Sequence, residues 1–132
     1  MIYIDTSAMV KLVVAEPESN ALIDWLNSRT EQPLVTSVIG RIELIRAAAR
    51  LGAATLAAAE RLATMVDLLV LTDAIAQLAA TLSPTELRTL DAIHLATAHI
   101  HRGTMTDFCA YDHQLRAAAR DQQLPVVAPG AR

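Results

Sequence analysis

The chain opens with Met1-Ile2-Tyr3-Ile4-Asp5-Thr6-Ser7-Ala8, in which a short apolar run leads directly into an acidic residue and two hydroxyl residues. Four apolar residues followed by polar ones are typical of a buried β-strand. The apolar positions from 9 to 13 then follow the spacing of an amphipathic helix, for which Thr6 or Ser7 would be the N-cap. This stretch therefore predicts a buried strand that passes straight into a helix, with Asp5 at the junction.

The same alternation of strand and helix continues along the whole chain. Four further strands are predicted, at residues 34–36, 68–71, 106–111 and 124–128. Ser37 is suited to cap the helix that Gly52 ends, and Ser83-Pro84-Thr85-Glu86 combines a capping box with proline at the first helical position. That second motif predicts a helix from Ser83 to about Arg102, either continuous or interrupted by a break. Strands that alternate with helices form parallel sheets covered on both faces, so we predict an α/β fold.

The composition indicates one ordered domain over residues 1–132. A hydrophobic fraction of 53% excludes a disordered chain. The formal net charge of −3 argues against indiscriminate binding to duplex DNA, which needs a broad basic surface. The single cysteine, Cys109, forbids an internal disulfide and fits a reducing compartment. Because no signal peptide and no apolar stretch of about 18 residues are present, we expect a cytoplasmic protein without a membrane span.

Four acidic residues stand at matching points of this alternating pattern. Asp5 and Asp112 each follow a predicted strand, whereas Glu43 and Asp91 lie within helical patterns. Carboxylates in apolar surroundings are costly unless their charge is compensated, and ligands of parallel sheets gather beyond the carboxyl ends of the strands. If the fold brings the four acids together, their mutual repulsion favours a divalent cation. The pattern therefore predicts a metal-dependent enzyme.

Each acid also has a purely structural role open to it. Asp5 and Asp112 are suited to cap helices, and Glu43 could pair with Arg46 or Arg50 along its own helix. Asp91 could instead complement the dipole at a helix N-terminus. Four such coincidences explain the pattern less well than one shared site does. Asp107 competes with Asp112 for the fourth place, but it begins a predicted strand and so falls at the opposite end of the sheet.

Other reactive side chains fit known catalytic patterns less well. The four histidines do not match the His-Glu-x-x-His spacing of zinc enzymes, so packed or surface roles are expected for them: His94, His99, His101 and His113. Ser7 lacks the Gly-x-Ser-x-Gly elbow of a covalent nucleophile. Thr6 and Ser7 are instead suited to hold a phosphate or a metal-bound water beside Asp5. Scattered glycines exclude a Walker loop and a dinucleotide fingerprint.

Taken together, these residues resemble a known family. Ile2-Tyr3-Ile4-Asp5-Thr6-Ser7-Ala8, Glu43 in its helix, Leu90-Asp91-Ala92-Ile93-His94-Leu95-Ala96 and Tyr111-Asp112 resemble the PIN-domain ribonucleases, in particular the VapC toxins of bacterial toxin–antitoxin pairs. The resemblance covers essentially the whole chain, and the segment around Asp91 is its most specific part. One departure is Ala110, which stands where the family often has a threonine two residues before the last acid.

The resemblance implies a fold, a cofactor and a set of partners. It implies a three-layer α/β/α sandwich around a parallel sheet of four to five strands, in which an acidic quartet binds Mg²⁺ or Mn²⁺. The quartet would be both catalytic and metal-binding, with Thr6 or Ser7 as a supporting polar group: Asp5, Glu43, Asp91 and Asp112. The activity would be cleavage of RNA phosphodiesters by a toxin, and the partners would be RNA, a VapB-type antitoxin and a second copy of the chain.

Two kinds of surface residue bear on those partners. Three arginines are candidates to grip the RNA: Arg41, Arg46 and Arg88. The helical stretches 8–15, 21–26 and 53–65 carry more apolar surface than one small domain buries easily, and an antitoxin groove or a homodimer would cover it.

Two other functions remain open at the level of sequence. The chain could be another metal-dependent phosphoesterase, such as a phosphatase or a receiver-like domain. A receiver needs a lysine on a late strand, and the only lysine here is Lys11. Alternatively, the chain could be a catalytically silent binding module with the same fold, although the complete acidic set argues against this.

Overall fold

The computed structural model describes all 132 residues and contains one five-stranded sheet in which every pairing is parallel. The strands are β1 (Ile2–Ile4), β2 (Leu34–Ser37), β3 (Asp67–Leu69), β4 (Asp107–Cys109) and β5 (Val126–Val127). Their order across the sheet is β3-β2-β1-β4-β5. The N-terminal apolar run therefore forms the central strand, with two strands on each side of it.

Seven α-helices connect and cover these strands. They are α1 (Thr6–Lys11), α2 (Ser19–Asn27), α3 (Val38–Ala49), α4 (Ala53–Ala63), α5 (Asp73–Thr81), α6 (Thr89–Ile100) and α7 (His113–Asp121). A short 3₁₀ turn follows α6 at Arg102–Thr104. None of the helices combines the length and apolar composition that a membrane span requires.

The alternation of side chains along β1 divides the molecule into two cores. Tyr3 packs with residues of α5, α6 and α7 on one face of the sheet. Ile4 packs with residues of α1 to α4 on the other face. Because successive residues of a strand point to opposite faces, the fully buried strand β1 contributes Tyr3 to one core and Ile4 to the other. The predicted three-layer α/β/α sandwich is confirmed.

The strand order reverses at β1, and this fixes where a site can form. The chain fills one side of the sheet through β2 and β3, then crosses back to β4 and β5 on the other side. In sheets of this kind a crevice opens beyond the carboxyl ends of the strands at the reversal point. Asp5 directly follows β1, and Asp112 follows the neighbouring β4 by three residues.

Two local predictions are wrong. The N-cap of α1 is Asp5, not Thr6 or Ser7, because its carboxylate accepts the Ala8 N–H. The motif that begins at Ser83 forms a turn instead of a helix, and α6 begins only at Thr89. Leu87 is buried in the core on the α6 face, and this burial favours a turn over a helix. A hydrogen bond from the Leu87 N–H to the Pro84 carbonyl closes the turn.

Two other local predictions are confirmed. Ser37 caps α3 through a bond from the Ile39 N–H. Gly52 separates α3 from α4 with φ of 111°, a conformation that residues with a side chain rarely adopt.

Candidate functional site

Asp5 is held at the end of β1 by the first turn of α1. Its Oδ1 accepts hydrogen bonds from the Ala8 N–H at 3.0 Å and the Ser7 hydroxyl at 2.7 Å. The Ser7 oxygen in turn accepts the Tyr111 N–H at 2.9 Å, which ties α1 to the segment after β4. Only 3% of Asp5 is exposed. Burial raises the pKa of Asp5 to about 6, and the negative charge of Asp91 adds to the rise.

Glu43 reaches the same edge from α3. Its Oε1 accepts the Thr6 hydroxyl at 2.8 Å and lies 2.7 Å from Nε2 of His94. Burial opposes the ionisation of Glu43, but the hydrogen bonds to His94 and Thr6 outweigh it and keep the pKa of Glu43 below its ordinary value. Glu43 is therefore an ionised carboxylate, and its partners come from α1 and α6 instead of from an arginine on its own helix.

His94 is the residue of this site that the sequence prediction missed. It is 1% exposed on α6, where Nδ1 lies 2.6 Å from the Tyr3 hydroxyl and Nε2 faces Glu43. It has a packed position, as expected, but one that contacts a candidate metal ligand. The sequence could have predicted this position, because His94 follows Asp91 by three residues and so lies on the same face of the helix.

Asp91 and Asp112 are joined by an arginine. Arg88 places both Nε and Nη2 at 3.0 Å from Oδ2 of Asp91, and Nη2 at 3.7 Å from Oδ2 of Asp112. Oδ1 of Asp112 accepts the Leu115 N–H and caps α7. The Arg88 side chain is 71% exposed, whereas the Asp91 side chain is 12% exposed. Arg88 is thus a solvent-facing cation above a buried acid.

The four predicted acids lie at one edge of the sheet and act on one another. Asp91 affects the ionisation of Asp5, Arg88 links Asp91 to Asp112, and Thr6, next to Asp5, bonds to Glu43. Each carboxylate accepts its hydrogen bonds through one oxygen, and Asp112 also faces Arg88 through the other at 3.7 Å. In each, the second oxygen accepts no hydrogen bond: Oδ2 of Asp5, Oε2 of Glu43, Oδ1 of Asp91 and Oδ2 of Asp112.

Three other residues lie away from this edge. Asp107 begins β4, paired in register with Ile2, and so lies at the amino ends of the strands, as predicted. Arg41 lines a shallow cleft between α3 and α4 beside Glu60. Cys109 is fully buried, and burial raises the pKa of its thiol, so it is unsuited to act as a nucleophile.

The donor chemistry of the edge fits a hard divalent cation. Carboxylate and hydroxyl oxygens are the ligands that Mg²⁺ and Mn²⁺ prefer, and the raised pKa of Asp5 marks a buried negative charge that the protein only partly compensates. The side chains are not drawn together as a closed cluster of three or more metal-ligating groups. Arg88 lies between two of them instead, so the acids would have to exchange the guanidinium for the cation.

Comparison with known sequences identifies the family. Residues 2–125 match the PIN domain. Ribonuclease VapC46 of Mycobacterium tuberculosis strain ATCC 25618 / H37Rv is 44% identical over 128 residues, which cover 97% of each chain. Ribonuclease VapC47 of Mycobacterium tuberculosis strain CDC 1551 / Oshkosh is 42% identical over 134 residues, which cover 99% of this chain and 98% of the relative.

Solved structures share the fold at lower sequence identity. A chain of FitAB bound to an IR36 DNA fragment superimposes with a TM-score of 0.75 at 20% identity, covering 100% of this chain and 97% of that one. VapC20 of Mycobacterium tuberculosis, described as a sarcin-ricin loop cleaving toxin, gives 0.70 at 23% identity, covering 89% and 95%. These structures support the fold, and the sequence matches carry the relationship: the chain belongs to the PIN-domain family, and within it to the VapC ribonucleases.

Proposed function

We propose that the chain is a Mg²⁺- or Mn²⁺-dependent endoribonuclease, the toxin of a VapBC pair, acting in the cytoplasm. The observation that carries the metal site is the shared geometry of its acids. Backbone or buried groups hold one oxygen of Asp5, Glu43 and Asp112, and Arg88 bonds one oxygen of Asp91. In all four acids the other oxygen makes no hydrogen bond within the protein. Relatives named as ribonucleases at 42% and 44% identity support RNA as the substrate class.

Each residue of the edge has a part in phosphodiester cleavage. When bound, the cation would activate a water and neutralise charge on the leaving oxygen. Asp5 and Glu43 would bind the cation. The first turn of α1 holds Asp5 in place, and the His94 imidazole holds Glu43. Asp91 and Asp112 would join once the guanidinium leaves them. The exposed Arg88 side chain, freed from those acids, is then in reach of a substrate phosphate, which guanidinium binds well.

The experiment is cleavage of total cellular RNA by the purified protein, with and without Mg²⁺ or Mn²⁺, followed by mapping of new RNA ends. We expect new ends only with the metal. We expect Asp5→Asn and Asp91→Asn each to reduce cleavage by at least about a hundredfold, because each variant replaces an anionic ligand of the cation with a neutral amide.

Asp107→Asn is the matched control, because it removes an acid of the same chemistry from the opposite end of the sheet. It should cleave like the wild type. Equal loss in all three variants would point to general damage, and metal-dependent cleavage retained by Asp5→Asn and Asp91→Asn would contradict the metal assignment. A protein that binds Mn²⁺ but leaves RNA intact would be the silent module or a different phosphoesterase.

The antitoxin is proposed to occupy an apolar groove between α1, α2 and α4. The groove has a volume of about 640 Å³. Its apolar lining comes largely from the helices predicted to carry excess apolar surface: Leu12, Ile23, Leu26, Ala58, Leu62 and Met65. Arg29 and Arg61 also line it. An amphipathic antitoxin segment that carries acidic residues beside its apolar face matches this combination.

Substitution at the groove tests that assignment. Met65→Asp, at a position 66% exposed, should weaken binding of a VapB-type antitoxin about tenfold or more without changing RNA cleavage by the free toxin. Ile100→Asp, at an exposed position outside the groove, is the control. Binding is measured by calorimetry. If both variants bind the antitoxin like the wild type, the antitoxin does not occupy this groove.

We propose that the chain forms a homodimer in which a second copy covers the exposed apolar side chains outside the groove. They include Ile42, Val70, Leu71 and Leu90, each at least 37% exposed. Contact with a second copy would remove this surface from water. Sedimentation velocity should therefore give a dimer, and a monomer at micromolar concentration would contradict it.

A further inference from the structure

A chain of buried polar groups runs beneath the acidic edge and ends at Glu43. The Ser37 N–H donates to the Tyr3 hydroxyl oxygen at 3.2 Å, and that oxygen lies 2.6 Å from Nδ1 of His94. Nε2 of His94 lies 2.7 Å from Oε1 of Glu43. Ser37 and Tyr3 are 0% exposed and His94 is 1% exposed. The chain therefore links the backbone of β2, the central strand and α6 to a side chain of α3.

The direction of each bond in this chain is determined by where its protons can go. Because the Tyr3 oxygen accepts the Ser37 N–H, its own proton needs an acceptor, and Nδ1 of His94, at 2.6 Å, is better placed than the adjacent Thr36 hydroxyl. The Thr36 hydroxyl nearby has no hydrogen-bond partner. Burial raises the pKa of Tyr3, so the phenol keeps this proton. Nδ1 is then an acceptor, and the imidazole proton lies on Nε2, where it is donated to Glu43.

The result at Glu43 is an asymmetric carboxylate. Oε1 receives two donors, the His94 N–H and the Thr6 hydroxyl at 2.8 Å. Oε2 receives none. Two donors that converge on one oxygen fix the rotation of the carboxylate, so its other oxygen has one direction in which to point. Outer hydrogen bonds of this kind orient metal ligands in proteins generally.

We propose that His94 is a positioning residue, which in its Nε2–H tautomer holds Oε1 of Glu43 and so presents Oε2 to the catalytic cation. The inference rests on the proposed function, because it assigns Glu43 the role of a metal ligand. It goes beyond that function by assigning the orientation of Glu43 to a histidine that contacts neither cation nor RNA.

The packing of α3 confines the imidazole in this orientation. A Cβ placed on Gly40 would lie 2.9 Å from Cε1 of His94 and 2.5 Å from the Thr36 hydroxyl oxygen. Contacts that short require a neighbour to move, so α3 approaches the ring as closely as a glycine permits. This close packing limits movement of the ring on the side of α3.

Two amide substitutions at His94 distinguish a role in orienting Glu43 from a role in filling space. In His94→Gln the amide nitrogen can occupy the place of Nε2 and donate to Glu43, but nothing accepts the Tyr3 proton. In His94→Asn the shorter amide reaches Tyr3 but not Glu43. Both variants lose the ring and leave a cavity. Binding of Mn²⁺ to each purified protein is measured by calorimetry, with Glu43→Gln as the reference for a lost ligand.

We expect His94→Gln to bind Mn²⁺ within about threefold of the wild type, and His94→Asn at least about tenfold more weakly. Equal weakening in both variants would overturn the inference, because the ring would then merely fill space. If Glu43→Gln binds Mn²⁺ like the wild type, the proposed metal site fails, and this inference fails with it. The Glu43→Gln result therefore shows which of the two has failed.

The tautomer can be read directly in the wild-type protein without added metal. Long-range ¹⁵N–¹H NMR spectra of the imidazole should show His94 with a protonated, pyrrole-type Nε2 and an unprotonated, pyridine-type Nδ1. This readout depends on neither cleavage nor folding of a variant. An unprotonated, pyridine-type Nε2 would overturn the proposal, because Nε2 could then not donate to Glu43.

Discussion

Asp5 serves folding and chemistry through different oxygens of one side chain. Its Oδ1 caps α1, a contact that explains why an acid can stand at the buried end of the central strand. Its Oδ2 makes no hydrogen bond within the protein. The sequence alternatives of helix cap and metal ligand are therefore compatible for this residue. The two oxygens of Asp112 also differ in role, because Oδ1 caps α7 and Oδ2 lies 3.7 Å from Arg88.

The raised pKa of Asp5 predicts how the stability of the metal-free protein depends on pH. The folded pKa is about 6 and the ordinary value is 3.8, so between these values the folded state binds more protons than the unfolded state. Stability from this group is therefore fully present below pH 3.8 and is lost as the pH rises to about 6. A difference of this size corresponds to about 3 kcal/mol at pH 7.

Asp5→Asn should remove this dependence while keeping the cap, because the amide oxygen still accepts from Ala8 and Ser7. Urea unfolding in a chelator should show the variant to be more stable than the wild type at pH 7, with a gain that shrinks towards pH 4. A variant less stable than the wild type at pH 7 would mean that the charge of Asp5 stabilises the fold.

The elements of this protein were predictable, but the contacts between distant elements were not. Each strand and helix leaves a local period in the sequence, so the alternation and the resulting edge of acids could be predicted. The bond between His94 and Glu43 joins residues 51 positions apart on two helices of different layers, and no local period encodes it. The turn at residues 83–88 was mispredicted for a related reason, since burial of Leu87 overrides a good local capping motif.

Helix capping predicts a difference between two substitutions at Asp112. Asp112→Ala removes the acceptor of the Leu115 N–H and should lower the free energy of unfolding by about 1 kcal/mol. Asp112→Asn keeps an acceptor and should be nearly neutral for stability, yet both should lose RNA cleavage if the charge binds the cation.

Thr72→Ala is the control for capping alone, because Thr72 caps α5 through the Ile75 N–H. Chemical denaturation should show a loss similar to that of Asp112→Ala, with RNA cleavage intact. Full cleavage by Asp112→Asn would remove Asp112 from the metal site and leave it as a cap.

At the scale of the whole molecule, the site depends on both helical layers. Glu43 comes from α3 on the face of α1 to α4, whereas Asp91 and His94 come from α6 on the other face. They meet because α3 and α6 contact each other, as the bond between Glu43 and His94 shows. Neither layer alone carries the acidic set, so the site is a property of the complete fold.

The central position of β1 has a consequence for which parts of the site can move. Its residues are fully buried and paired on both sides, so amide protons next to Asp5 should exchange with solvent only on global unfolding. Residues 83–88 are mostly exposed, and the Leu87-to-Pro84 bond is the one backbone bond within them, so their amides should exchange first. Mass-spectrometric exchange that ranks the two segments the other way would contradict this. Arg88 can thus leave Asp91 through a local opening, while the anchored acids stay in place.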